Sequence, residues 1–206
     1  MDGQTPSDLR LNGVGEAAGG TYRQVTINGV GTVRGALQCA RLRTQGVVKI
    51  LGSVQADATQ IHGVTSIQGD LVGGRVTLGG SLHIAAGCAA DRVVGRGSLV
   101  IGGLLNAEEI RVTLQYGASQ VGEIGAARIR ITRAARRPDR AGRHPAEALS
   151  VHTVEGDDVY LEHTTAQVVR GNTVVIGPGC AIACVEYRSS LRQHPDAVIG
   201  REQRQA

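Results

Sequence analysis

The sequence predicts an all-β protein, a parallel β-solenoid in which each turn, or rung, takes about 17 residues, a period typical of stacked repeats. Three observations predict this fold: a glycine that recurs at a fixed step, aliphatic columns that recur with it, and a near absence of aromatic residues. The recurring glycines are Gly29, Gly46, Gly63, Gly80 and Gly97. This step is too short for helical repeats, whose periods lie above about 30.

Two aliphatic columns keep the same step as the glycines. The first contains Val33, Ile50, Ile67, Ile84 and Ile101, and the second contains Leu37, Val54, Leu71 and Leu105. Within each rung aliphatic residues occupy alternate positions, as in a strand with one buried face. We therefore expect these nine side chains to fill the lumen, the glycines to form the bends, and neighbouring rungs to pair as parallel strands about 4.8 Å apart.

The composition fits a narrow solenoid better than a globular core. The 206 residues include 30 Gly and four Tyr, but no Phe and no Trp. A globular core of this size normally depends on aromatic side chains, which bury large areas, whereas a thin lumen is filled by Val, Ile, Leu and Ala. The glycines have no strict three-residue period, which excludes collagen, and the aliphatic columns argue against disorder.

The periodicity divides the chain into five segments. They are a flexible N-terminal lead-in at 1–20, a solenoid core at 21–132, a basic Arg/Pro-rich insertion at 133–148, additional rungs at 149–188 and a polar C-terminal tail at 189–206. In the additional rungs the step is nearer 15, because Val159 and Leu161 answer Val174 and Ile176. The pattern indicates one continuous solenoid with a loop insertion, and two solenoid segments at an angle are the open alternative.

Positive charge is concentrated in one stretch. The formal net charge is +4, but residues 128–143 alone hold seven Arg and one Asp, so the rest of the chain is about −2. One interpretation is a solvated loop in an arginine-rich chain. The other is contact with an anionic partner, a membrane surface or an envelope protein, through Arg133, Arg136, Arg137 and Arg140. No aromatic residues interleave with these arginines, so nucleic acid is not an expected partner.

The sequence offers no catalytic, metal or cofactor site. The four cysteines lack paired-motif spacing, and a zinc site needs four convergent ligands, so we expect buried, reduced thiols. His62 and His83 are candidates for a general base, but both occupy surface-type positions. Solenoid acyltransferases use six-residue steps, which do not divide 17. We therefore predict a non-enzymatic protein without cofactors, and the lack of a signal sequence predicts a cytoplasmic location.

Three stretches resemble a known family. They are the opening DLRLNGVGEAAGGTYRQVTINGVG, the rung SLVIGGLLNAEEI and the late TVEGDDVYLEHTTAQVVRGNTVVIGPGCAIACVEYR. Over about residues 11–190 the chain resembles the bactofilins, bacterial polymer-forming cytoskeletal proteins, and is most similar to the subgroup of Bacillus-like bacteria. Met1–Leu9 is polar, where many bactofilins carry a short apolar membrane-targeting peptide.

The resemblance implies a right-handed parallel β-helix that polymerises end to end without nucleotide. It implies a cytoskeletal scaffold for cell shape, wall synthesis or motility and flagellar assembly, with the chain itself or a second bactofilin as partner. Membrane association would then accompany the cytoplasmic location. The open alternative is a dimeric β-helix binding module, similar to the C-terminal domain of bacterial division-site inhibitors, that regulates a division or envelope partner.

Overall fold

The computed structural model describes residues 6–134 and 148–205, which form one nine-stranded parallel sheet wound into a solenoid of about nine turns, without a helix. The long strands run around corners, so a single strand can exceed a rung. The strands are β1 Leu9–Ile50, β2 Val54–Ile67, β3 Leu71–Ile84, β4 Cys88–Leu114, β5 Ser119–Arg133, β6 Leu149–Leu161, β7 Thr164–Ile176, β8 Ala181–Gln193 and β9 Val198–Arg204.

Each strand pairs with the next one in the chain, which is the order expected when every rung lies on the one before it. In the first part of the stack the pairing advances by a constant step of 17, as in Val54 with Leu71 and Leu71 with Cys88. The same step aligns Gly46 with Gly63 and then with Gly80. The predicted all-β solenoid, with rungs of the predicted length, is therefore confirmed.

The core is the lumen of the solenoid, which the aliphatic columns fill. All nine side chains expected there are at most 2% exposed, because alternate residues of each strand point to the inside. A third column, which the sequence pattern did not single out, runs parallel to them through most of the stack. Its buried members are Val25, Leu42, Thr59, Val76, Val93, Ile110, Ile129, Val159 and Val174.

The rung length changes along the stack. The register shifts between Ile101 and Leu104, after which Leu105 pairs with Ile124 and the step is 19. Val121 of β5 then pairs with Val151 of β6. Between β6 and β7 the step is 15, with Val159 opposite Val174 and Leu161 opposite Ile176, as the sequence predicted. Between β8 and β9 it is 17 again.

The two ends are more regular than expected. Residues 9–20 of the predicted lead-in at 1–20 belong to β1, and Arg23 N donates to Ser7 O at 3.0 Å. The polar tail at 189–206 contains the end of β8 and all of β9, and Val198 N donates to Cys180 O at 2.8 Å. Backbone pairing with the neighbouring rung does not require apolar side chains, so polar segments extend the ladder.

Candidate interaction surfaces

The predicted glycine column forms one corner of the solenoid, because the backbone there allows no side chain. Gly29, Gly46 and Gly63 have φ between +111° and +119°, a region that L-residues rarely adopt. A Cβ added at any of these three positions would overlap the carbonyl oxygen of the glycine one rung below. The same overlap occurs at Gly80 and Gly97, so the stacking distance requires glycine along the whole column.

Only one of the four arginines proposed to contact an anionic partner can be placed. Arg133 ends β5, and its backbone N–H donates to Glu162 Oε2 at 3.0 Å. Arg136, Arg137 and Arg140 lie outside the described residues. The same carboxylate of Glu162 accepts a 2.6 Å hydrogen bond from Tyr160 Oη, and this bond raises the pKa of Tyr160.

A second basic surface, absent from the sequence prediction, lies on the flank of the stack. We call it the arginine groove; it has a volume of about 610 Å³. Its lining residues are Arg75, Arg92, Val94, Gly95, Arg96, Glu109, Arg111, Thr113 and Arg128. Five guanidinium groups therefore face one carboxylate, so the groove attracts anions.

Glu109 organises the floor of the arginine groove. Its side chain is 11% exposed and accepts from Arg92 Nε at 2.8 Å and from Arg111 Nη2 at 2.6 Å. Charge-assisted bonds of this length fix the orientation of both guanidinium groups. Arg75 and Arg96 have no ion-pair partner within residues 6–134 and 148–205.

The arginine groove had a signal in the sequence. Arg75 aligns with Arg92 in the register of β3 and β4, one rung apart. Glu109 follows Arg92 by the same step along the chain, and Arg128 aligns with Glu109 in the register of β4 and β5. A count of charges along consecutive residues does not reveal this surface. Comparison of the charged residues at equivalent positions of successive rungs does.

A larger groove of about 640 Å³ on another flank has the opposite character. Its lining includes Glu123, Glu155, Asp157 and Glu186 together with Arg170 and Arg188. Arg170 Nε donates to Glu186 Oε2 at 2.9 Å, which raises the pKa of Arg170. Glu155 and Asp157 thus line a groove that already contains arginine.

The two end rungs differ in their inward residues. At the N-terminal end Leu9 and Leu11 are half-buried and pack against the core. At the C-terminal end the lumen positions aligned with Ile176 and Val185 are taken by Gln193 and Glu202, which are exposed. The N-terminal end of the lumen is therefore apolar, whereas the C-terminal end combines the polar Gln193 and Glu202 with Leu191 and Ile199, which pack against the core.

Three of the four cysteines are buried thiols without a disulfide, as expected. Burial raises the pKa of Cys88 to about 12 and that of Cys180 to about 11. Burial also raises the pKa of Cys39 to about 11. These thiols are protonated at neutral pH and are poor nucleophiles, whereas Cys184 is half-exposed.

The two candidate histidines do not lie together. His62 aligns with Gly79 and His83 aligns with Ser66, and both are exposed. Among the described residues no three His, Cys, Asp or Glu side chains are grouped as a metal site would require. The described part of the chain also contains no helix with the length and apolar character needed to span a bilayer.

Comparison with known proteins finds relatives that match about half of the chain. No family model and no solved structure matches the sequence. The Bacillus subtilis (strain 168) protein named "Uncharacterized protein YhbF" is 42% identical over 97 residues, which are 47% of this chain and 40% of YhbF. "Uncharacterized protein YhbE" of the same organism is 36% identical over 99 residues, 48% of this chain and 42% of YhbE. The chain thus spans about two fifths of the length of these curated relatives.

Proposed function

We propose that this chain is a non-enzymatic bacterial cytoskeletal scaffold that assembles end to end into filaments without nucleotide. The observation that carries the proposal is a single apolar lumen that continues from β1 into β8. Within residues 6–134 and 148–205, β1 and β9 each leave one edge without a strand partner. An open sheet edge above an apolar lumen is a template for another chain.

Stacking of two copies would be stabilised by the same backbone pairing and apolar burial that hold the rungs of one solenoid together. Docking of a second copy would satisfy the backbone groups of an end rung and remove the half-buried Leu9 and Leu11 from water. Contacts of like ends produce a filament only when both ends are used, and such a filament has no polarity. Its roles would be to support cell shape, wall synthesis or motility from the cytoplasm, alone or with a second bactofilin.

Two polar lumen positions at the C-terminal end favour a second candidate, a closed dimer. Gln193 and Glu202 stand where an apolar interface would need aliphatic side chains. If only the N-terminal ends associate, assembly stops at two copies. The protein would then act as a dimeric binding module for a division or envelope partner.

Negative-stain electron microscopy of the purified, tag-cleaved protein without nucleotide or metal tests the proposal. Filaments are expected, and uniform dimers in sedimentation would instead support the binding module. Leu11→Arg should abolish either assembly by placing a charge on the N-terminal end of the lumen. Val14→Arg is the matched control, because Val14 belongs to the same rung but is 87% exposed at its corner. Assembly unchanged in Leu11→Arg, with a retained melting transition, would contradict the assignment of this end.

A further inference from the structure

We propose that the arginine groove binds a linear polyvalent phosphate anion, with its chain of phosphates lying along the rung stack. The inference concerns the flank of the solenoid and is independent of end-to-end assembly. It starts from the charge: five guanidinium groups and one carboxylate line the groove. This is a stronger local imbalance than the formal +4 of the whole chain would suggest.

The groove lies where the repeat itself is interrupted. Gly95 occupies the lumen position held by Ile61 and Leu78 in the two preceding rungs. Its φ is +139° and an added Cβ would overlap the carbonyl oxygen of Leu78. The rung therefore has no side chain at this position, and the residues on either side of Gly95, Val94 and Arg96, line the groove.

The guanidinium groups are partly oriented and partly free. Glu109 holds Arg92 and Arg111 at its two oxygens, so neither must be ordered by a ligand. Arg75 and Arg96 are exposed and lack an ion-pair partner among the described residues. A ligand can thus gain two new ion pairs without breaking an existing one.

The spacing of the arginines favours phosphates in a row. Arg75 and Arg92 lie on adjacent paired strands, about 4.8 Å apart, and Arg111 and Arg128 lie on the rungs that follow. The planar guanidinium fork matches the oxygens of a phosphate in two parallel hydrogen bonds. Several phosphates joined in one ligand are needed, since each contact on an exposed surface is weak.

The residues around the arginine groove argue against a membrane or a single-stranded nucleic acid as its partner. Asp91 and Glu108 are exposed immediately beside Arg92 and Glu109, and Glu108 lies 3.7 Å from Arg128. A flat anionic membrane would face these carboxylates together with the arginines, whereas a narrow ligand fits between them. No aromatic side chain lines the groove, so it lacks the stacking platform of single-stranded nucleic-acid sites.

Isothermal titration calorimetry of the full chain with sodium tripolyphosphate tests the proposal. The groove variant is Arg75→Gln with Arg96→Gln, two exposed residues whose loss breaks no ion pair within the described part of the chain. The control is Arg41→Gln with Arg43→Gln, which removes the same charge. Arg41 belongs to the same outward column as Arg75, two rungs away, and both control residues lie outside the groove.

We expect the groove variant to bind tripolyphosphate about tenfold more weakly and the control within about twofold of the parent protein. Inorganic phosphate should bind far more weakly than tripolyphosphate. ATP and tripolyphosphate binding equally would identify the phosphates alone as the ligand, and tighter ATP binding would identify a nucleotide; both support the site. No binding, or equal losses in the two variants, would overturn it. Groove-dependent binding only to anionic vesicles or only to duplex DNA would also overturn it.

Discussion

The rungs before the basic insertion and those after it differ in length but share one lumen. The long rungs, residues 37–101, advance by a step of 17, and the short rungs, residues 149–176, advance by a step of 15. Yet the column of Ile101 continues through Val121 and Val151 to Ala166. Two residues disappear from each turn while the column inside stays buried.

The two residues are lost at two corners, one from each. Three residues separate the inward Thr44 and Val48 in a long rung, and two separate Leu161 and Thr164 in a short one. The corner after Ile50 shortens in the same way. The long corner turns through Gly46 at φ +119°, whereas the short corner turns through His163 at φ +47°. The difference teaches that corners set the rung length and that the lumen columns set the fold.

The largest effect is expected for a charge inside the lumen, and it should be equal in both regions. Ile67→Asp in a long rung and Val159→Asp in a short rung each place a carboxylate where the native side chain is 2% exposed. An unpaired buried charge should lower the free energy of unfolding by about 3–5 kcal/mol. Thermal and urea unfolding of both variants would measure this.

Gln68→Asp is the matched control for Ile67→Asp. Gln68 is the next residue along the chain and is exposed, so its carboxylate stays in water and the melting temperature should hardly change. If Ile67→Asp melted like the parent, its inward placement would be wrong. A large effect at Ile67 with a small one at Val159 would show that the two regions have different cores.

The long and the short corner should respond differently to substitution by alanine. Gly46→Ala forces a Cβ into the left-handed region and against Gly29 O, so we expect a loss of about 1–3 kcal/mol. His163→Ala keeps a Cβ that the short corner already contains, and should cost within about 1 kcal/mol. Urea midpoints compare the two variants. A Gly46→Ala variant as stable as His163→Ala would show that the long corner can relax.

The sequence was sufficient to predict the fold because residues of the same type recur at the lumen positions of successive rungs. The step of 17, the buried columns at Ile67 and Leu71 and the later step at Val159 all follow from alternation and spacing. The end rungs were missed because their side chains are polar, as at Gln193, and pairing there depends on the backbone. Periodicity of side chains reports burial, and it does not report hydrogen bonding between rungs.

The candidate surfaces were harder to predict, since they depend on which residues meet across rungs. Thr44 and Thr65 belong to adjacent rungs but are not aligned in register, and their hydroxyls pair inside the lumen at 2.8 Å. Arg92 and Arg111 meet at Glu109 because Glu109 follows Arg92 by one 17-residue step and precedes Arg111 by two residues. The sequence contains the spacing but not the side-chain conformations that produce the arginine groove.

A smaller effect is expected at Glu109, close to the register change that precedes the short rungs. Glu109→Gln removes the charge that Arg92 and Arg111 share, and because the arginines are largely exposed the loss should be about 1–2 kcal/mol. Glu108→Gln is the control, since Glu108 is 72% exposed and 3.7 Å from its arginine; its unfolding curve should match that of the parent. Equal curves for both variants would show that Glu109 does not organise this face.

The smallest effect concerns Cys88 in the long rungs and is seen only as a dependence on pH. Burial raises its pKa from 9.0 to about 12, so the thiol ionises first in the unfolded chain. Its contribution to stability is complete below about pH 9 and is lost as the pH rises toward 12. Between pH 8 and pH 10 the free energy of unfolding of the parent should therefore fall by about 1 kcal/mol more than that of Cys88→Ala.

Leu105→Ala, in the same column, is the control. This substitution removes no ionisable group, so its difference in free energy of unfolding from the parent should be constant over the same range. A constant difference for Cys88→Ala as well would show that this thiol reaches solvent in the folded protein.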